Sequence, residues 1–287
     1  MIKVRQVLLC SAVSFFFLAA SCVRENSSRK QDIHVQQMSG FPNQEFGYEL
    51  GVSACYVGII GNKLVMAGGC NFAGKSAAEG GPKYFYKGIY TAEITKDSVL
   101  VWKQVGELPS PVAYGVSISR SGEMILIGGN NADGGLTSVF RLKLAEDGGA
   151  ILDTLPSLPF ALDNMSGAAS GNTIYVAGGN RNGSPSTSML SLNLNEPELG
   201  WKEEVPFPGA ARVQPVCAVQ DGMLYLWGGF CPSQNGGEAS VATDGYRYLP
   251  LQEQWEPVPA PAVAETGESL TLTGGTSCVW SDSIILC

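Results

Sequence analysis

An all-β fold of four-stranded sheets arranged radially is what this sequence predicts, and three observations predict it. Gly-Gly pairs begin at positions 68, 128, 178 and 228. A short apolar run precedes each pair, and a Trp-bearing segment closed by proline follows in most of the units. Composition agrees: 36 Gly in 287 residues, 9% aromatic and only 15% charged residues describe a turn-rich β architecture rather than a helix bundle.

The pairs are 60, 50 and 50 residues apart, and a period near fifty is that of kelch-type propeller blades. Within each unit the signals recur in one order. A small-residue strand leads to a polar turn, such as Gly61-Asn62 or Asp221-Gly222, and then to an apolar strand. Those apolar strands are Leu64–Ala67, Met124–Ile127, Ile174–Ala177 and Leu224–Trp227, each ending in Gly-Gly, so the first two strands form an antiparallel hairpin. A third strand follows a variable polar loop, at Tyr90, Val139–Leu144, Met189–Leu194 and Tyr246–Leu249. The fourth carries Trp102, Trp201 or Trp255, which would pack between blades, and runs into a proline link. Radial repetition is one solution to exposed sheet edges. Glycine pairs suit a position where φ is positive and backbones approach closely near a central axis.

The ends of the repeat set the expected ring. Ile33–Pro42 resembles an outermost strand and its proline link with no inner strands before it; in closed propellers such a strand commonly completes the last blade. Gly275–Cys287 reads as the opening hairpin of a fifth unit, with Ser283–Cys287 in the place that precedes Gly-Gly. About four and a half blades are therefore present, and the implied ring has six. Either the sequence is truncated or it is a naturally shortened copy. Ahead of the propeller domain (33–287), residues 1–22 have an export layout: Lys3 and Arg5, an apolar run from Val7 to Ala20, then Ser21-Cys22. The run is short for a membrane span. Leu18-Ala19-Ala20-Ser21-Cys22 resembles a bacterial lipobox, with Ala19 where an aliphatic residue is usual, so Cys22 is the expected lipid-attachment site; a plain cleavable signal and a retained anchor are the alternatives. Residues 23–32 form a polar tether. The expected location is the periplasm or cell envelope, held to the membrane through the lipid alone.

A net charge of −8 without a basic patch argues against nucleic acid, which requires concentrated Lys and Arg. Beyond Cys10 and Cys22, the cysteines at 55, 70, 217, 231, 278 and 287 match no zinc or redox spacing. An oxidising compartment permits disulfides, yet Cys55, Cys217 and Cys278 lie in apolar strand windows and read as buried free thiols. The single histidine, His34, falls on the outer segment and reads as structural or exposed, which disfavours His-based triads, histidine-rich metal sites and a copper-radical oxidase. No phosphate-cradling loop is present, and no cofactor or metal is expected.

Because strands alternate in direction, the loop after each Gly-Gly and the link between blades share one face, where loops on a scaffold carry binding groups. The first set holds Asn71, Lys75, Glu79 and Lys83, then Asn130, Asn131 and Asp133, then Asn180, Arg181 and Asn182, then Glu238; the second holds Tyr114, Asp163, Asn164 and Arg212. An Asn after Gly-Gly either hydrogen-bonds a polar ligand at the ring entrance or suits a left-handed turn. Arg212, alone in an apolar, proline-bounded link, either holds a ligand carboxylate bidentately or forms a surface or inter-blade salt bridge.

Three stretches carry a family resemblance: "KLVMAGGCNFAGK", "GELPSPVAYGVSISRSGEMILIGGNNADGG" and "FPGAARVQPVCAVQDGMLYLWGGF". The chain from about residue 40 to 287 resembles the kelch-type sialic acid mutarotases, or N-acetylneuraminate epimerases, with the blocks in the order of a cyclically permuted branch. The resemblance implies exchange of the α and β anomers of N-acetylneuraminate in the periplasm, by ring opening and closure without a cofactor. That chemistry needs a base for the anomeric hydroxyl proton, an acid for the ring oxygen, and cations or amides for the carboxylate. The family's proposed catalytic Glu lies in a "GE…PG…R" loop that has no match before Cys287, so no catalytic residue is assigned. Arg212 matches the family's Arg in "FPGG-R-Q", and Tyr114 matches its "AYG", although Pro111-Val112 replaces the Arg usual nearby. Substrate contacts are thus expected from Arg212, Tyr114, Asn71, Glu79, Asn130, Asn180, Arg181 and Glu238. The competing expectation is a non-catalytic kelch lipoprotein that binds glycans or proteins at the envelope.

Overall fold

The computed structural model describes residues 38–95, 99–233, 237–262, 266–280 and 283–286. Cys22, the tether and His34 lie outside them. The described residues form a kelch-type β-propeller of four sheets, each a meander of four antiparallel strands. The first blade consists of β1 (Tyr56–Ile60), β2 (Lys63–Ala67), β3 (Gly88–Glu93) and β4 (Lys103–Glu107). The second has β5 (Val116–Arg120), β6 (Glu123–Ile127), β7 (Val139–Leu144) and β8 (Ala150–Thr154). The third has β9 (Ser166–Ser170), β10 (Thr173–Ala177), β11 (Met189–Asn193) and β12 (Lys202–Glu203). The fourth has β13 (Val216–Gln220), β14 (Met223–Trp227), β15 (Gly245–Leu249) and β16 (Gln254–Val258). A final hairpin pairs β17 (Ser277–Trp280) with β18 (Ser283–Leu286).

The core lies between blades. Ile118, Ile125, Ile127 and Val139 of the second blade meet Ile174, Val176 and Leu190 of the third across buried Leu158, Phe160 and Leu162 of their link. Equivalent layers join the first blade to the second and the third to the fourth. Successive side chains point to opposite faces, each covered by a neighbouring blade, so β6 and β10 are buried at four of five positions rather than at alternate ones. At the rim, Trp201 Nε1 donates to Pro156 O at 2.9 Å and Trp255 Nε1 to Val205 O at 2.8 Å, so each Trp ties its outermost strand to the preceding link. Trp102 Nε1 donates to Gly40 O at 3.2 Å, and Leu100 N–H to Ser39 O at 2.7 Å. The described part of the Ile33–Pro42 segment therefore stands where a preceding link would stand for the first blade; the rest of that segment is outside the described residues.

The glycine pairs are the joints of the ring. All eight residues have positive φ, from 57° to 104°. In each pair the second N–H donates to a carbonyl of the following link: Gly69 to Val112, Gly129 to Leu162, Gly179 to Arg212 and Gly229 to Leu272. A Cβ on Gly128 would sit 2.5 Å from Leu162 O, and one on Gly228 2.1 Å from Leu272 O. Both the dihedral and the space exclude a side chain.

The thiol expectation needs one correction. Among the described residues Cys55, Cys70, Cys217, Cys231 and Cys278 are free, and Cys217 is buried as expected and Cys55 half-buried, but Cys278 is exposed. It lies on β17, whose sheet has two strands instead of four, which leaves its face with less cover.

Candidate functional site

The innermost strands β1, β5, β9, β13 and β17 line a central channel of about 800 Å³. Its mouth lies on the face shared by the glycine-pair loops and the links. One residue from each link turns the chain into its innermost strand there: Ala54, Tyr114, Asn164, Gln214 and Gly274, with φ of 55°, 61°, 54°, 52° and 65°. These residues chain together through the backbone. Tyr114 N–H donates to Ala54 O (2.9 Å), Asn164 to Tyr114 O (2.8 Å), Gln214 to Asn164 O (2.6 Å) and Gly274 to Gln214 O (3.1 Å). A left-handed conformation costs a non-glycine residue about 1–2 kcal/mol. Four such residues in a row persist because inter-blade hydrogen bonds hold them, and they set their side chains around the mouth.

Tyr114 leans toward the loop of the first blade. Lys83 Nζ donates to its hydroxyl at 2.9 Å and lies 4.9 Å from the ring centroid, with Phe72 at 5.7 Å. Cys70 Sγ is 3.5 Å from the same hydroxyl. Burial pushes the Tyr114 phenol above its ordinary value, against the pull of the neighbouring ammonium. The bond to Tyr114 in turn holds Lys83 above the ordinary lysine value. At neutral pH the pair is a protonated phenol beside a cation.

Next around the ring, carboxamides hold one another. Buried Asp163 accepts from Asn164 Nδ2 at 2.6 Å and from Asn180 Nδ2 at 2.8 Å. Asn164 Oδ1 accepts from Gln214 Nε2 at 3.0 Å, which leaves that amide a second N–H. The mouth therefore offers a cation, a phenol and amide donors over a channel lined by small and aliphatic residues. That set can hold a small polyhydroxylated acid and move a proton on it.

The structure places the expected site residues unevenly. Tyr114 and Asn180 belong to the mouth network. Arg212 does not present a free fork to a ligand: it is 1% exposed, and the carboxylate it holds bidentately is the chain's own Asp244, with Nη2 to Oδ2 at 3.0 Å. Its Nε donates to Ala210 O and its Nη1 to Gly228 O, and the guanidinium lies over Phe207. The reason is positional, because the same slot is filled by Val52, Val112, Leu162 and Leu272 in the other links. This slot faces the inter-blade core. Asn71 likewise serves the scaffold, donating to Gly47 O and Gly51 O at 2.8 Å and accepting from Tyr86. Glu79 closes a capping box with Ser76 on an exposed 3₁₀ turn, and Ser76 holds its carboxyl below the ordinary value. Asn130 is half-buried and bridges through its backbone to Ala113. Arg181 stacks on Phe160 at 3.8 Å and pairs with Glu203 at 3.1 Å. Glu238 is exposed on the loop of the fourth blade.

Gln214 escaped the sequence reading, and Asn164 and Lys83 were only loop members in it. A signal existed: Ala54, Tyr114, Asn164 and Gln214 each stand fourteen residues before a glycine pair. Among the described residues no cluster of His, Cys, Asp and Glu has the make-up of a metal site.

Comparison with known proteins gives a family. The model described as "NANM: N-acetylneuraminate epimerase" matches residues 18–151 and 155–287. The N-acetylneuraminate epimerase of Haemophilus influenzae (strain PittEE) is 34% identical over 132 residues, covering 43% of this chain and 34% of that protein. The protein of that name in Pasteurella multocida (strain Pm70) is 34% identical over 141 residues, covering 48% and 36%. The one in Vibrio vulnificus (strain YJ016) is 40% identical over 87 residues, covering 29% and 23%. The chain thus spans about a third of the length of the curated relatives it matches. Among solved structures, "Structure of YjhT" superposes with a TM-score of 0.64 at 11% identity, covering 82% of this chain and 76% of that one; at that identity the likeness concerns the fold.

Proposed function

The chain belongs to the N-acetylneuraminate epimerase family, and from that premise we propose that it is a sialic acid mutarotase, interconverting the α and β anomers of N-acetylneuraminate in sialic acid catabolism. The observation that carries the reading is the channel mouth, lined by Tyr114, Asn164 and Gln214, with Lys83 hydrogen-bonded to the Tyr114 hydroxyl. Anomer exchange proceeds by ring opening and closure, so it needs only proton transfers and a means of holding the substrate, with no redox or group-transfer cofactor. Carboxamide N–H groups suit the sugar's carboxylate, hydroxyl and N-acetyl oxygens. The test is the anomerisation rate of freshly dissolved N-acetylneuraminate, followed by proton NMR with purified protein. A rate above that of buffer is the expected result. A rate equal to buffer refutes the mutarotase reading and leaves a propeller that binds glycans or proteins.

The proposal includes a place of action. Lys3, Arg5, the apolar run from Val7 to Ala20 and the Leu18–Cys22 stretch support export to the periplasm or cell envelope and lipid attachment at Cys22. Metabolic labelling with a fatty acid is expected to mark the wild type and to be abolished by Cys22→Ser. Equal labelling of both rejects the anchor.

A further inference from the structure

We infer that Tyr114 is the proton donor to the sugar's ring oxygen and that Lys83 is its positioning residue; the inference rests on the mutarotase reading. Tyr114 lines the channel at the mouth, on a backbone locked between Ala54 and Asn164. Among the described channel-lining residues other acidic protons lie on thiols, and burial pushes Cys55 up to about 11 and Cys217 up to about 12. Among the described residues none of the three channel-lining thiols, Cys55, Cys217 and exposed Cys278, is hydrogen-bonded to a cation, whereas the Tyr114 hydroxyl receives a hydrogen bond from Lys83 at 2.9 Å. That bond uses an oxygen lone pair and leaves the phenolic O–H to donate outward.

The step balances without an outside reagent other than water. The bond between the anomeric carbon and the ring oxygen breaks, and the ring oxygen takes the Tyr114 proton. The anomeric hydroxyl gives its proton to water and becomes a ketone oxygen. The phenolate that remains is stabilised by the Lys83 ammonium in contact with it. After rotation about the bond between the ketone carbon and the adjacent chain methylene, the freed hydroxyl adds to the other face of the ketone and returns its proton to Tyr114. The ketone oxygen regains a proton from hydronium, and the opposite anomer is formed with every group restored.

The experiment compares wild type, Tyr114→Phe, Lys83→Met and Lys83→Arg, measuring anomerisation by proton NMR and N-acetylneuraminate binding by calorimetry. Tyr114→Phe is expected to lower the catalysed rate about a hundredfold, within the range of a lost general acid, with affinity changed by less than about threefold. Lys83→Met is expected to lower the rate, and Lys83→Arg to recover part of it, which a purely structural lysine would not require. A fast wild type together with an equally fast Tyr114→Phe overturns this inference and leaves the mutarotase reading standing. A wild type no faster than buffer overturns both. Should Tyr114→Phe fail to fold, Lys83→Met decides, since wild-type rate in that variant overturns the pairing.

Discussion

Arg212 and Asp244 offer the sharpest quantitative test of how the ring is built. Arg212 occupies a slot that other links fill with Val or Leu, and it is 1% exposed. Asp244 stands where the second and third blades have Ser138 and Ser188, since each of these residues accepts the N–H of the first glycine in its pair through its backbone carbonyl. Asp244→Ala strands a buried guanidinium. Breaking a buried pair costs about 3–5 kcal/mol, and the 38% exposure of the Asp244 side chain selects the lower end, about 3 kcal/mol. For a body of this size that is a fall in Tm of about 6–12 °C. The double variant Arg212→Leu/Asp244→Ser installs what the sister blades carry, and is expected within about 1 kcal/mol of wild type, because an ion pair replaced by apolar packing is often neutral. Equilibrium urea unfolding followed by tryptophan fluorescence, with melting curves alongside, measures both. The reasoning fails if Asp244→Ala lies within about 0.5 kcal/mol of wild type, the range of an ordinary surface change. It fails equally if the double variant is as unstable as Asp244→Ala.

Further outcomes follow from the same geometry. Gly128→Ala places a methyl 2.5 Å from Leu162 O at φ 57° and is expected to cost about 2–4 kcal/mol. Gly61→Ala, at φ 62° with open space around it, should cost only about 1 kcal/mol; equal losses would discredit the joint role of the glycine pairs. The Arg212 hydrogen bond holds the Asp244 carboxyl below its ordinary value, so its stabilisation is complete above the unfolded value of about 3.9 and is lost as pH falls through the folded one. The urea midpoint of wild type should therefore fall more steeply below about pH 4 than that of Arg212→Leu/Asp244→Ser, the other carboxylates cancelling in the difference; parallel curves would refute it. Finally, a thiol reagent applied to native protein at pH 8, read by peptide mass spectrometry, should mark exposed Cys278 well before Cys217, whose thiol burial pushes up to about 12. Equal rates at the two would show that the β13 layer opens freely.

The repeat was legible because its signals are local. An apolar strand ending in Gly-Gly, an Asp221-Gly222 turn and a Trp before a proline link each act within a few residues, and the structure finds β2, β6, β10 and β14 within one residue of the expected runs. Residue type misled where two partners far apart in sequence decide the role. Arg212 read as a carboxylate holder and is one, but its carboxylate is Asp244, thirty-two residues on. Asn71 read as a ligand contact, yet it braces the turn around Tyr48.

By itself the sequence determined the repeat, its strands, the glycine joints and the face on which loops and links meet, because backbone dihedrals and apolar periodicity are written residue by residue. Only the tertiary structure decided which polar groups meet at the mouth. Lys83 reaches Tyr114 across the first blade boundary, and Gln214 reaches Asn164 across the third. Those pairings depend on the packing of one blade upon the next, which no single unit contains.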